Sequence, residues 1–423
     1  MDNRLQDLVD LTRQTFDLKY FHLKRYSFRR HVNIFKETNY SLLMEWFPNN
    51  AIQPDDLELN PKGTAVISVD MESKLFNQII FVGRETLVNN QLFAHASKSD
   101  VIEWIESKTG YFYEKDFILS HESRGKYEFI ACIDGIKVSP SGLIKLEYDI
   151  LGNLVLFTIE GQFARRDYVG EKASELTLDQ VEHIAMDHLK LVEIPSEILE
   201  RQISVYGLEE IYVKKEELLV VPFKNFDSVR EHYQINKLIY WNSPLKEKFQ
   251  EVDIQLTEEL SIEQALAKET SPDSYPITSI QKTECIYAIK DFLRQEYPND
   301  SGKWLLQTLN RNYGFIIAKL VEKETTNELI ARKITVLIDS QSIQAVNYVD
   351  NKSLLDLMPK YKNTFDKTVT KKLAYEIIKE YMTLEPYYVY NFDLKRYVFC
   401  MKLDCDYAVN ANNGKVSLLT DIK

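Results

Sequence analysis

Apolar and polar residues alternate with a period of two along most of this chain, and short stretches of helical period interrupt the alternation. The stretch Lys126 to Gly161, KYEFIACIDGIKVSPSGLIKLEYDILGNLVLFTIEG, is the clearest case. Its apolar positions alternate and break at Ser139-Pro140-Ser141-Gly142 and at Asp149 to Gly152, which predicts consecutive antiparallel strands. Ser99 to Gly110, just before it, predicts a short amphipathic helix, with Asp100 and Glu103 at capping-box spacing and Gly110 as the stop. One helix followed by a strand meander is the grammar of the whole chain.

In chain order, Leu5, Leu8, Val9, Thr12 and Phe16 predict a helix over residues 3–16. Two strands follow, turning at Lys36 to Asn39. The first puts Tyr26, Phe28, Val32 and Ile34 on one face and Arg25, Arg29 and His31 on the other. The second carries Tyr40, Leu42, Met44 and Trp46. A connection over 48–63 leads to strands at 65–69 and 75–82. A linker is expected at 164–175, then a helix from Thr177 and Gln180 through Val181, Ile184, Ala185, His188 and Leu189. The strands after it are candidates only, at 203–213, 218–223 and 233–241.

Ser261 and Gln264 cap a short helix, and Cys285, Ala288, Ile289, Phe292 and Leu293 form the stripe of a longer one that stops before Pro298. Strands are predicted at 304–309, 315–322, 329–338 and 343–349, with turns at 310–314 and 323–328. Ala374, Ile377, Ile378 and Tyr381 define a last helix, with Pro386 beyond its stop. Strands at 387–392, 396–403, 405–409 and 415–419 complete the chain. The expected organisation is α+β in five tandem units: 1–90, 91–165, a divergent 166–255, 256–352 and 353–423. Turns at Asp70–Ser73, Asp149–Gly152, Asp339–Ser342 and Asn410–Gly414 sit between the last two strands of a unit. An Asx side chain bonding the backbone ahead, with Gly at positive φ, suits a tight reversal there.

Asp134-Gly135-Ile136-Lys137-Val138 and the following IKLEYDILGNLVLF resemble the repeat of bacterial YcdB/YcdC-type proteins. Residues 260–266, LSIEQAL, resemble the start of such a unit, and Asn410 to Val416 its closing turn. The resemblance implies PepSY-like, cystatin-like modules, each a helix packed on an antiparallel sheet. It also implies a non-catalytic role in binding or inhibiting proteins, peptidases among them, and brings no catalytic residues. The turn glycine of the repeat is absent at Ser73 and at Ser342-Ile343, and family members are often exported.

Composition narrows the function classes. Fifty-two basic and 64 acidic residues give a net charge of −12, which argues against general nucleic-acid binding. Twenty-five Tyr and 21 Phe suit half-buried sheet surfaces. The first residues, MDNRLQDLVDLTRQTF, lack the unbroken apolar core of a signal peptide, and no apolar run is long enough to span a bilayer. Four cysteines make no disulfide framework, and the expected compartment is the cytoplasm.

Candidate chemistry is sparse. His183 and His188 lie five apart on one helix and project roughly 140° apart, so they do not chelate together. His188 reads as a core histidine, and Cys132, Cys285, Cys400 and Cys405 as small buried hydrophobes. No nucleophile elbow, phosphate loop or dinucleotide fingerprint occurs. Acidic pairs such as Glu209-Glu210 and Glu216-Glu217 read as solvated faces. No cofactor or metal is expected.

One segment stands against the acidic background. Leu18 to Lys36, LKYFHLKRYSFRRHVNIFK, holds six Lys and Arg and no acid. Arg25, Arg29 and Arg30 are therefore the candidate contacts for a polyanion or single-stranded nucleic acid. The alternative is a half-buried strand with a basic wet face, in which Arg30 points inward and reaches an acidic partner or the sheet rim. The expected function is non-enzymatic: binding of a protein partner in a regulatory or scaffold role. Polyanion binding is the second reading, and an unrecognised hydrolase the third.

Overall fold

Helix starts in this chain are fixed by side chains that satisfy the first free N–H groups. Reciprocal capping boxes join Ser97 with Asp100, Thr177 with Gln180, Ser261 with Gln264 and Thr278 with Gln281. The second helix starts at Lys98, one residue before the predicted Ser99, and its cap is Ser97, because Asp100 reaches back to Ser97 instead of capping onward. The computed structural model describes residues 2–422 except 53–55, 57, 58, 87, 89, 90, 173, 174, 197–199, 216, 217, 223–230, 257, 324–330 and 358–366. Outside them fall most of the predicted turn at 323–328, the start of the strand at 329–338, Phe223, and parts of the connection at 48–63 and the linker. Glu216 and Glu217 lie outside them too. The fold is mixed α+β, mostly strands with few helices, in several antiparallel sheets.

Two compact units emerge. The first comprises Met1–Val169, Thr257–Ser274 and Tyr388–Tyr397. Its elements are α1 (Gln6–Thr15), β1 (Phe21–Val32), β2 (Thr38–Pro48), β3 (Ala65–Asp70), β4 (Phe76–Phe81) and α2 (Lys98–Thr109). β5 (Phe117–Ser123), β6 (Lys126–Ile133), β7 (Ile136–Ser139), β8 (Leu143–Tyr148) and β9 (Leu154–Glu160) follow. Pairing runs β1-β2-β3-β4-β9-β8-β6, all antiparallel, with β5 and β7 also on β6. Leu8, Val9 and Thr12 of α1 are buried, and Phe16 meets Phe76 edge-on at 4.8 Å. On α2, Trp104 meets Phe93 and Phe157 edge-on at 5.5 and 5.1 Å.

Strand β1 departs from its predicted face pattern. Phe28 is buried, but Tyr26, on the same face, is 41% exposed, because β1 is the last strand on its side of this sheet. Ile34 is buried from within the turn, beyond the end of the strand. The stretch expected to be a linker is tied down: Arg165 bonds both oxygens of Glu37 at 2.6 and 2.7 Å, and Arg166 bonds both oxygens of Asp134 at 2.9 and 3.1 Å.

The second unit comprises Gly170–Leu256, Tyr275–Tyr387 and Val398–Lys423. It opens with α3 (Glu182–His188), β10 (Leu189–Ser196), β11 (Arg201–Leu208), β12 (Ile211–Val213), β13 (Val220–Pro222) and β14 (Tyr233–Leu238). Then come α4 (Ser279–Glu296), β15 (Trp304–Asn312), β16 (Phe315–Glu322), β17 (Lys333–Asp339), β18 (Ala345–Asp350) and α5 (Lys371–Ile378). β19 (Thr383–Asn391) and β20 (Arg396–Asp404) belong to it only through residues 383–387 and 398–404, and β21 (Tyr407–Asn410) and β22 (Val416–Leu418) end it. Leu189 leaves the helix to begin β10, and Pro386 lies inside β19 instead of ahead of it.

Helix α4 packs Cys285, Ile289, Phe292 and Leu293 against Trp304, Leu306, Ile316, Ala318, Ile334 and Val336 of the five-stranded sheet β14-β15-β16-β17-β18. Burying a side chain the size of Phe292 contributes about 1.5–3 kcal/mol. A second sheet runs β10-β11-β21-β22, so strands predicted for the third and last units share hydrogen bonds, as at Tyr206↔Val409.

Five hairpin turns that open on an Asx residue fall into two geometric classes. Asp70, Asp339 and Asn410 each close a six-residue loop, their N–H groups donating to the carbonyls of Leu75, Gln344 and Lys415 at 2.9 Å. Each side-chain oxygen accepts from the N–H groups two and three residues ahead. The left-handed residue is the fifth: Lys74 (φ 59°), Ile343 (φ 51°) and Gly414 (φ 73°). The position that lacks glycine in the first turn is therefore Lys74, not Ser73, and the network holds even a β-branched residue there.

Asp149 and Asn33 make the shorter class. Their N–H groups donate to the carbonyls of Asn153 and Glu37, and Gly152 and Lys36 are left-handed. The β1–β2 reversal thus spans Asn33–Glu37, starting three residues and ending two residues ahead of the predicted Lys36–Asn39, because Asn33 caps it.

Candidate functional site

The basic segment and a pocket at the tips of two hairpins are two places in the first unit where polar and aromatic groups gather. Both follow from strand register.

On β1, Arg25 and Arg29 lie on one face and Arg30 on the other, as alternation requires. Arg25 donates from Nε to Glu45 Oε2 at 2.7 Å, also bonds Asn60, and lies over the Phe47 ring at 5.8 Å. Its partner Glu45 is the residue directly opposite on β2. Arg30 is only 6% exposed and grips Glu258 with both arms, at 2.6 and 3.0 Å, with the Tyr40 hydroxyl at 3.4 Å. Burial opposes its charge, but the Glu258 pair and Tyr40 outweigh that and raise the guanidinium pKa. Arg29 is exposed and makes no ion pair among the described residues. Of the three candidate arginines, two are engaged inside the unit and one faces solvent.

The pocket, about 700 Å³, gathers three stretches of chain: residues 91–96, the β5–β6 turn at Arg124-Gly125, and the β8–β9 turn from Tyr148 to Gly152. Register brings the two turns together, since Tyr148 donates its N–H to the Gly125 carbonyl at 2.9 Å. Residues 91–96 are pinned to the second turn by Gln91 N–H on Asn153 Oδ1 at 3.0 Å and Phe93 N–H on the Gly152 carbonyl at 2.9 Å. A Cβ at Gly152 would stand 2.2 Å from the Ala94 nitrogen, so this close approach requires glycine.

One wall of the pocket is aromatic. Phe93 stacks on Tyr148 at 5.2 Å, and Tyr148 on Tyr127 at 6.2 Å. Burial, helped by Tyr148 and Glu122, pushes the Tyr127 phenol up to about 12, so it stays a neutral hydrogen-bonding group. The rim carries Ile150, 90% exposed, and Leu151, 59% exposed.

Of the acid and the guanidinium that line the pocket, the acid is engaged within the chain. Asp149 is the acid among the lining residues, and its oxygens are occupied by the N–H groups of Leu151 and Asn153 and the Asn153 amide. Burial opposes its ionisation, but these bonds prevail and hold its carboxyl below the usual value. Arg124 and His95 are exposed on the rim and make no ion pair among the described residues. The arrangement can bind a side chain against the ring wall and a carboxylate at the rim. It offers no nucleophile paired with a base.

The other candidate groups are placed individually. His188 is half-buried, not a core histidine, because it ends α3 and turns its Nδ1 to Glu209 Oε2 at 3.0 Å. All four cysteines are free and buried, and burial pushes the Cys132 and Cys285 thiols up to about 11. No group of three or more His, Cys, Asp or Glu suited to hold a metal occurs among the described residues.

Sequence reasoning missed the pocket because its walls come from three separated stretches. One signal was available: Ile150-Leu151 puts two large apolar residues in a hairpin turn, where polar residues and glycine are the rule.

Compared with protein families and with characterised proteins, the chain matches none. Among solved structures, the Bacillus megaterium YpeB C-terminal domain aligns over 49% of this chain and 86% of its own, at 9% identity and a TM-score of 0.24, too low to establish a shared fold. No helix among the described residues is long and apolar enough to cross a membrane.

Proposed function

We propose that this chain is a non-enzymatic recognition protein, regulatory or scaffolding, that binds a protein partner in the cytoplasm. We propose further that it is built from divergent PepSY-like units, each a helix on a strand meander. The observation that carries the binding reading is the rim pair Ile150 and Leu151 beside an aromatic-walled pocket. Large apolar side chains held out on a well-bonded turn cost hydration until a partner covers them. The tandem reading is supported by the Asx turns, whose bonding repeats at Asp70, Asp339 and Asn410. A peptidase is the partner class that the sequence resemblance implies.

Polyanion binding through Arg25, Arg29 and Arg30 is the second reading, and the exposed Arg29 is what favours it. The engagement of Arg25 and Arg30 with Glu45 and Glu258 weighs against it. The test sets heparin retention beside capture from a lysate of the source organism, using the full chain and the double variant Arg25→Ala/Arg29→Ala. We expect a discrete protein captured equally by both forms, no heparin retention at physiological salt, and a stability change in the variant within about 0.5 kcal/mol. Tight heparin retention by the unmodified chain, lost in the folded double variant, would replace the first reading with the second.

A further inference from the structure

We infer that the pocket at the β5–β6 and β8–β9 turns is the recognition site itself, and that its occupant is a peptide segment carrying a carboxylate beside a large apolar side chain. This rests on the protein-recognition reading above and adds where the partner binds and what chemistry it presents.

The apolar half of the occupant follows from the walls. The buried Phe93 ring stacks behind the half-buried Tyr148 ring, parallel to within 18°, and Ile150 and Leu151 carry the apolar surface outward. A half-buried aromatic ring bordered by exposed aliphatic side chains takes a leucine- or phenylalanine-sized group and removes water from both partners. The wall is rigid: Trp104 packs edge-on against Phe93 from behind, and two hydrogen bonds tie residues 91–93 to the turn. A fixed wall loses little entropy on binding.

The acidic half follows from charge. In a protein of net charge −12, the unengaged charge at this rim is cationic. Arg124 projects from the tip of a two-residue turn with no acid bonded to it among the described residues, and the exposed His95 imidazole also lines the pocket. The nearby acids are occupied: Asp149 within its own turn, Glu122 near Lys98 at 3.8 Å, and Glu147 near Arg84 and Lys126 at 3.3 and 3.6 Å. A guanidinium at the edge of an apolar surface pairs with a carboxylate in a bidentate geometry that lysine cannot copy. A basic peptide would meet Arg124 with like charge.

The test is selection of random heptapeptides displayed on phage against the full-length protein, followed by anisotropy titration of the selected peptides. We expect enrichment of Asp or Glu adjacent to Leu, Ile or Phe. Affinity should fall at least tenfold in Arg124→Gln, and equally when the peptide acid is replaced by its amide, with the thermal midpoint of Arg124→Gln unchanged. Substituting Ile150→Ser should weaken binding without altering the preference for acid. Selected peptides that lack an acid, or that bind Arg124→Gln as well as the parent, would overturn the site while leaving protein recognition in place. Absence of any saturable peptide, together with no protein captured by the full chain, would overturn both.

Discussion

Strand β1 and the β8–β9 turn lie in the same unit and make opposite use of charge. β1 belongs to the most basic segment of the chain, yet Arg25 and Arg30 are bonded to Glu45, Asn60, Glu258 and Tyr40. The pocket beside the turn carries one arginine and one histidine, and both face solvent unpaired among the described residues. Local density of cations is a property of sequence. Availability of a cation is a property of register and of what the chain brings back to face it. Glu258 is 228 residues from Arg30, and no local reading of the basic segment contains it.

The contrast breaks most sharply at Gly152. Its φ is +82°, and a side chain there would collide with the backbone of Phe93 and Ala94. Gly152→Val should destabilise the first unit by about 3 kcal/mol or more, combining left-handed strain with displacement of residues 91–96. Urea unfolding followed by tyrosine and tryptophan fluorescence measures it. A loss under 1 kcal/mol would show that the pocket wall is not held by this approach.

Arg30 tests the other side. Arg30→Ala removes the guanidinium from Glu258, whose side chain is about one-third exposed, so the cost should be about 2–3 kcal/mol, below that of a fully buried broken pair. Arg30→Met should cost less than Arg30→Ala, since it keeps the packing of the buried stem. Equal stability of all three proteins would mean that the pair is ornamental and that Arg30 is free to serve a ligand.

These two residues also show how far the sequence can be read. Alternation along β1 put Arg30 on the inward face and called for an acidic partner or the sheet rim, because period two admits no outward placement. It could not say which acid, since Glu258 arrives through tertiary folding. The turns were legible through their Asx residues at 70, 149, 339 and 410, since an Asx cap is local chemistry. Asn33 was passed over because Lys36 to Asn39 also reads as a turn, although Asn33 Oδ1 takes both N–H groups that matter. Strand β10 was missed for a different reason: Leu189 continues the helical stripe of Val181, Ile184 and Ala185, so periodicity ran past the true helix end at His188.

A smaller effect separates the pocket turn from the strand by pH. Hydrogen bonds hold the Asp149 carboxyl below its ordinary value in the folded protein. Its contribution is therefore fully present above the unfolded value of about 3.9 and is lost as pH falls through the folded value. Between pH 5 and pH 3 the unmodified protein should lose more stability than Asp149→Asn, which keeps the Asx cap without the charge. Parallel pH profiles for the two proteins would mean that the carboxylate adds nothing beyond what an amide supplies.

The central claim is that recognition passes through the pocket rim and not through the basic strand. The most direct measurement places a photo-crosslinking residue, p-benzoylphenylalanine, at Ile150 in one full-length protein and at Arg29 in another, each irradiated in cells of the source organism. Both positions are exposed, so both variants should fold and report on equal terms. The account predicts one discrete protein adduct from position 150, reduced by a second change, Arg124→Gln, and no discrete adduct from position 29. A discrete adduct from position 29 with none from position 150 would contradict it.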